Sequence, residues 1–516
     1  MSNARIILRN LTANWVGHGA NLVVMFFLSP YIVHTLGVTE YGIWQLLTVL
    51  TGYMGLLDLG VRASTGRYII LYLGQNKLEK VDETIRTGLG LYSVMSSLIL
   101  IAGLALGIFF PKIFPSVPVE YHAIVSVLLP ILAVNIWISA VRTVLSSVLA
   151  AYDRFDLARG SDLIMLAVRT LGTIAALELD TGLVGLTIAI IGCNVVGTLI
   201  NLRFAGKIHD SLRLWPLMLK KSRLKELYNY GIGAFIVAAS VKIIGQTDLV
   251  LVGNLIDINS VAIYSVGAML IYYSDTLIKL VGMTFFPTLQ KAVAQNNLKD
   301  ARFILYRQVQ LKLTFGILMY IGYFSFGEKF IFLWMHDPEV FPMTSVTAAA
   351  KVMAVLSVAK LFALMGSFSK TILAATGHIG FSAKMTVLEA LINLACSISL
   401  VIFWNWGLIG IAAGTLGSHL LIQTIILPYY ACEKAGINWF RFFTVTGSKA
   451  VLTGFSSFFI CYAIQKGFEA HTWVGFLIQV GAAVCCYLPI TWMLLVSEDD
   501  RKRILKWVSL QYQWHS

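Results

Sequence analysis

About fourteen stretches of roughly twenty predominantly apolar residues run along the chain, separated by short polar breaks. Their limits fall near residues 12–36, 41–61, 88–110, 122–151, 163–179, 183–204, 228–253, 262–286, 308–327, 345–374, 381–403, 407–430, 444–465 and 473–496. Each is long enough to carry a helix across hydrocarbon. The runs are continuous, whereas a closed barrel needs apolar and polar positions in alternation, so the spans are helices. The pattern predicts an all-α polytopic membrane protein.

Part of the pattern occurs twice. LAAYDRF begins at Leu149 and GLVG at Gly182; LAATGHI begins at Leu373 and GLIG at Gly407. The offsets are 224 (373 − 149) and 225 (407 − 182), and Gly192 and Gly417 keep the second. A repeat of about 220 residues is longer than a solenoid uses and fits the paired halves of a transporter. The expected organisation is two pseudo-symmetric six-helix lobes, 1–205 and 228–432. Residues 433–516 add two transmembrane helices and a basic cytoplasmic tail. The lobes are joined by an amphipathic cytoplasmic helix over 206–227. Pro216 suits its start, Leu217, Leu224 and Leu227 share one face, and Lys220, Lys221 and Arg223 take the other, toward an anionic leaflet.

Composition identifies the solvent as lipid. Of 516 residues 58% are hydrophobic and 13% charged, with a mean hydropathy of +0.78; a soluble chain carries about 25% charged residues. The first apolar run is too long for a cleavable signal and lacks a small-residue cleavage site, so it is expected to remain as a helix. The six cysteines show no metal-ligand spacing and are expected to pack, without disulfides or a metal. No phosphate-binding P-loop occurs, so neither ATP hydrolysis nor a cofactor is expected.

Lysine and arginine set the topology. Alternate loops hold Arg5 and Arg9, Arg62 to Arg86, Arg154 and Arg159, Arg203 to Lys225, Lys291 to Lys312, Lys370 and Lys384, Lys434 to Lys449, and Arg501 to Lys506. The opposite loops hold little beyond Lys112, Lys329 and Lys466. Roughly thirty against three places both termini in the cytoplasm. The net charge of +13 is thus a topology signal, and nucleic acid is not an expected partner.

Charged residues inside spans are expensive and therefore candidates for function. The cations are Arg142, Arg169, Lys242, Lys279 and Lys360; the anions are Asp248, Asp275 and Glu389. Lys351 lies near an outer helix end, where it can snorkel. Asn135, Ser139, Arg142 and Ser146 form one polar face, as do Asn14, His18 and Asn21, and Glu389, Asn393 and Ser397. Such a stripe faces either a cavity or a packed neighbour. Asp275 and Lys279 stand at i and i+4, where they can pair. Lys242 and Lys360 have no carboxylate one turn away. An excess of cations suits an anionic substrate, and Lys242, Lys360, Arg142, Arg169, Lys279 and His18 are the candidate substrate-binding residues. No catalytic residue is expected.

Asn14, Pro30, Leu36-Gly37, Tyr41-Gly42, Asp58-Leu59-Gly60, the paired LAA and GLxG segments and Pro287 together resemble the Wzx-type polysaccharide-biosynthesis flippases. These belong to the multidrug/oligosaccharidyl-lipid/polysaccharide exporter superfamily. The resemblance covers the whole chain. It rests on hydrophobic spacing and turn residues, so no binding residue carries over by match. It implies a MATE-like pair of lobes across a central cavity, in the bacterial cytoplasmic (inner) membrane. It also implies an undecaprenyl-diphosphate-linked oligosaccharide (O-antigen, capsule or exopolysaccharide unit) turned from inner to outer leaflet by alternating access. A coupling cation, H+ or Na+, and polysaccharide assembly proteins are the further partners implied. Three other readings stand beside it. A drug or small-molecule antiporter of the same fold would favour an acidic cavity. A membrane glycosyltransferase or polymerase would need larger outer loops than these. A non-transporting scaffold would leave the buried charges unexplained.

Overall fold

In hydrocarbon backbone N–H and C=O groups must be satisfied internally, and the regular elements of the computed structural model are helices throughout its described residues. It describes the backbone of residues 2–58, 60–209, 212–496 and 501. Side chains are described within those ranges from Gly17 on, apart from residues 18, 58, 62–63, 229–234, 236–238, 240–241 and 283. Two compact units divide the chain, Met1–Ala262 and Ile263–Ser516.

The first unit contains α1 (Ser2–Met54), α2 (Val61–Gly74), α3 (Leu78–Ile113), α4 (Val119–Ala151), α5 (Phe155–Glu178), α6 (Gly182–Ile208) and α7 (Lys221–Leu255). Helix α4 packs on α3 and α6, α5 packs on α6, and α7 packs on α1, α2 and α3. Helix α8 (Ile258–Ala294) leads into the second unit. There follow α9 (Leu298–Met335), α10 (Met343–Met365), α11 (Ser369–Ala375), α12 (Ile379–Ile402) and α13 (Gly407–Ser418). A π-helical stretch, His419–Ile426, joins α13 to α14 (Leu427–Ala435). The chain continues through α15 (Trp439–Phe442), α16 (Ser448–Gly467) and α17 (Trp473–Leu494). Helix α10 packs on α9 and α13, and α12 on α13, the same order of partners as in the first unit. Helices α16 and α17 pack on α9 and enclose with it an apolar cavity of about 310 Å³.

Among the described residues twelve helices are long and apolar enough to cross a membrane. The first of them, Gly19–Leu57, breaks at Gly37, whose φ of 76° is not helical, and so makes two of the expected runs. Helix α7 covers the run at 228–253.

The duplication is written in the backbone as well. Asp153 and Gly377, 224 residues apart, both have positive φ (57° and 79°), each ending a helix. The amides that follow, on Arg154 and His378, return to the carbonyls of Leu149 and Leu373. Asp180 and Gly182 (50° and 51°) recur as Asn405 and Gly407 (55° and 52°), 225 residues on. A third pair was missed by the sequence comparison: Asn76 and Asn296 (57° and 54°) end α2 and α8, within QNKL and QNNL. Asparagine and glycine serve here because the left-handed conformation costs them least.

The expected linker helix is corrected by the structure. Residues 212–220 are not helical, and helix begins only at Lys221. Arg86 Nε donates to the Pro216 carbonyl at 2.8 Å and the Met218 amide donates to the Arg86 carbonyl. Leu212, Leu214 and Leu217 pack on the buried cluster of α2, α3 and α4. The apolar residues thus find protein before they find lipid. The basic ones find carboxylates: Arg223 Nε lies 3.3 Å from Glu83 Oε2 and its Nη1 lies 2.6 Å from Glu226 Oε2.

Candidate functional site

Helix α8 presents Asp275 and Lys279 four residues apart, hence on one face. Lys279 Nζ lies 2.7 Å from Asp275 Oδ2, and Lys360 Nζ, from α10, lies 3.6 Å from the same oxygen. Asp275 stands 17 residues into a helix of 37, so these groups sit near the middle of α8, about 26 Å from its start at 1.5 Å per residue. Lys279 is 66% exposed there. Inside a membrane span an exposed ammonium is costly against hydrocarbon, which favours a water-lined site.

Two further lysines join this pair. Lys312 is buried on α9 and donates to the Ser367 carbonyl at 3.0 Å. One turn earlier Gln308 donates to the Gly282 carbonyl at 3.3 Å and to Thr371 Oγ1 at 3.1 Å. Ser367 is available because the helix is interrupted at residues 366–368, between α10 and α11. The interruption packs directly on the π-helix: a Cβ on Gly366 would overlap the Gln423 carbonyl oxygen. Lys370, in the first turn of α11, is exposed and lies within electrostatic range of Lys279, Lys360, Asp275 and Glu389. Lys312 acts on Asp275 and Lys279 in the same way.

The floor of the cluster is a buried polar triad. Glu389, on α12, is fully buried. Its Oε2 accepts from Gln423 Nε2 at 2.7 Å, and its Oε1 lies 3.1 Å from His419 Nδ1. His419 also feels Lys360 and Asp275. Both His419 and Gln423 belong to the π-helix, whose wider turn brings them to one side; such departures from α geometry concentrate at functional sites. Four lysines (279, 312, 360, 370) therefore gather around two carboxylates (Asp275, Glu389), leaving net positive charge.

The remaining sequence candidates lie elsewhere. Lys242, on α7, crosses α1: a Cβ on Gly52 would stand 2.8 Å from Lys242 Cε and from Gln246 Oε1. Arg142 Nη1 lies 3.2 Å from Asp162 Oδ1 on α5, and Arg159 Nη1 lies 3.0 Å from the other Asp162 oxygen. Arg142 and Arg169 both lie within electrostatic range of Cys193. The side chain of His18, like that of Asn14, lies outside the described residues.

Two of the three polar stripes have partners among the described residues. Asn393 Nδ2 donates to Thr415 Oγ1 at 2.8 Å and Ser397 Oγ to the Ile411 carbonyl at 3.2 Å, so the Glu389 stripe faces α13 and the π-helix. Asn135 Oδ1 accepts from Asn194 Nδ2 at 3.0 Å, across α4 and α6. Both are zippers between packed helices. Sequence reasoning missed Asp162 because the run there was begun at 163, and missed Lys312 and Lys370 because they were counted with the cytoplasmic loops although they fall inside the runs 308–327 and 345–374. It missed His419 and Gln423 too, although their spacing of four was there to be read. Gln308 and Lys312 carry the same signal.

Known proteins were compared with this chain. Residues 72–481 match the family model described as "Lipid II flippase MurJ". A curated relative, the uncharacterized membrane protein EpsK of Bacillus subtilis, is 21% identical over 517 residues, 96% of this chain and 97% of its own. A solved lipid II flippase MurJ in an inward closed conformation aligns with a TM-score of 0.69 at 13% identity, covering 95% of this chain and 98% of that one. An inward-facing multidrug resistance MATE family transporter of the MOP superfamily also gives 0.69 at 13% identity, over 80% and 94%. At such identities the structures establish the shared fold.

Proposed function

The chain belongs to the MurJ family of lipid II flippases, and from that premise we propose that it turns an undecaprenyl-diphosphate-linked oligosaccharide repeat unit from the inner to the outer leaflet. The observation that carries this reading is the lysine excess around Asp275 in the middle of α8. A diphosphate does not cross hydrocarbon bare, because its charges lose their hydration. Ammonium donors in a watered site replace that hydration with charge-assisted hydrogen bonds. An antiporter for organic cations gains nothing from such a site. The apolar cavity beside α16 and α17 suits a stretch of prenyl chain. No ATP is consumed; the lobes expose the site to each side in turn.

The test is reconstitution. Vesicles containing the protein and a prenyl-diphosphate oligosaccharide labelled on its sugar are treated with an impermeant quencher. Label held in the inner leaflet is expected to become quenchable much faster than in protein-free vesicles. No acceleration, together with transport of ethidium, would overturn the reading in favour of the antiporter. The family's own lipid II, run in parallel, separates the two glycan classes.

The same reading places both termini in the cytoplasm and the turn at 336–342 outside. In a chain whose six native cysteines are replaced by alanine, Glu339→Cys should react with an impermeant maleimide added to whole cells. Lys77→Cys should react only after lysis, and the opposite pattern inverts the topology.

A further inference from the structure

The lysine cluster already holds an anion of its own. One oxygen of Asp275 lies 2.7 Å from Lys279 and 3.6 Å from Lys360, bridging two ammonium groups as a phosphate oxygen would. The other groups acting on Asp275, namely Lys312, Lys370 and His419, meet no second carboxylate among the described residues except Glu389. Glu389 is committed elsewhere, to Gln423 and His419 on the buried floor. Among the described residues Asp275 is thus the carboxylate of the cluster paired with lysines, on the same helix as its nearer partner.

We propose that Asp275 is a resident counter-ion which the substrate's phosphates displace, and that it thereby sets a charge threshold for entry. Resting on the flippase reading above, this names what selects its substrate. The physical reason is competition at unequal stoichiometry. A tethered carboxylate has a high effective concentration at its partners, so a free monoanion offers Lys279 and Lys360 nothing that Asp275 does not already provide. A diphosphate brings two charges. It can replace the carboxylate at one ammonium pair while its second phosphoryl group reaches toward Lys312 or Lys370. Displacement is feasible because Lys279 is largely exposed, and i, i+4 pairs on one helix are among the weaker ion pairs. Asp275 then acts through the lysines as a positioning residue and does not itself touch the substrate.

The test uses the full chain in detergent, with inorganic pyrophosphate and the monoanion dimethyl phosphate as probes, titrated calorimetrically. Wild type is expected to bind pyrophosphate and to bind dimethyl phosphate far more weakly. Asp275→Asn should gain about tenfold in affinity for dimethyl phosphate, narrowing the preference, because the tethered competitor is gone. Asp275→Glu should restore the wild-type preference, since the charge returns. If Asp275→Asn weakens both probes, or leaves their ratio unchanged, the counter-ion role is overturned. The wild-type ratio decides by itself should that variant not accumulate: equal affinity for the two probes refutes a threshold. The flippase reading fails separately, when pyrophosphate binds neither wild type nor Asp275→Asn, or when Lys360→Gln leaves its binding intact.

Discussion

Lys360→Glu should abolish glycan export while the protein still accumulates in the membrane. The wild-type ammonium lies 3.6 Å from Asp275 Oδ2, in a cluster whose surplus charge is positive. Reversal sets two carboxylates side by side and removes the ammonium offered to the diphosphate. Loss of one partner in a buried charge pair costs about 2–5 kcal/mol, or roughly 30- to 4,000-fold at 1.4 kcal/mol per decade. Export measured as surface glycan in a strain lacking the wild-type protein should fall to background. Lys360→Arg should keep part of the activity, because the charge stays while its geometry changes. A Lys360→Glu chain that accumulates normally and exports normally removes the residue from the substrate site. Failure to accumulate would instead identify the Asp275–Lys360 pair as a structural element, since an uncompensated buried charge destabilises the fold itself.

Gly366→Val should prevent a stable second unit from forming. The break after α10 lies so close to the π-helix that even a methyl group on Gly366 would overlap the Gln423 carbonyl and press on Pro428. Backbone cannot yield as a flexible side chain does. The cost should reach or exceed the upper end of the about 1–3 kcal/mol typical of overpacking. The break also supplies the carbonyl that Lys312 uses, so the cluster is lost together with the packing. Low yield or a sharply lowered melting temperature in detergent is expected. Gly417→Ala is the control: no atom lies within 4 Å of its Cβ position, and alanine is the better helix former. Equal stability of the two variants would show that the close approach carries no energetic weight.

Much of the fold was legible beforehand, for reasons that particular residues make plain. The GLxG turns at Gly182 and Gly407 could be paired by eye because the left-handed turn they make narrows the choice of residue. The QN-L turns at Asn76 and Asn296 carry the same conformation, yet their flanks had diverged enough to pass unnoticed. The linker at 206–227 was read as a helix from its leucine spacing. Spacing says which residues share a face and nothing about what the face meets; here it met α3.

The candidate site divides along the same line. That Lys360 and Lys279 lie inside apolar runs at cost, and so need a reason, followed from hydropathy alone. Their common partner did not, because Asp275 and Lys360 stand 85 residues apart (360 − 275) on different helices. Arg142 likewise has a partner that hydropathy does not record: α5, starting at Phe155, carries Asp162 to 3.2 Å from it.

By itself the sequence determined the solvent, the helical class, the number of apolar runs and the duplication. Each of these is a local property or a sum of local properties: hydrophobicity adds along a segment, and a turn conformation is set by the residues within it. Only the tertiary structure decided which charges meet. That depends on how far each helix is rotated about its axis, where its ends fall, and how closely a neighbour can approach, as at Gly366. A rotation of 100° per residue separates a lysine facing water from one facing its own counter-ion, and the hydropathy of a run does not record the difference.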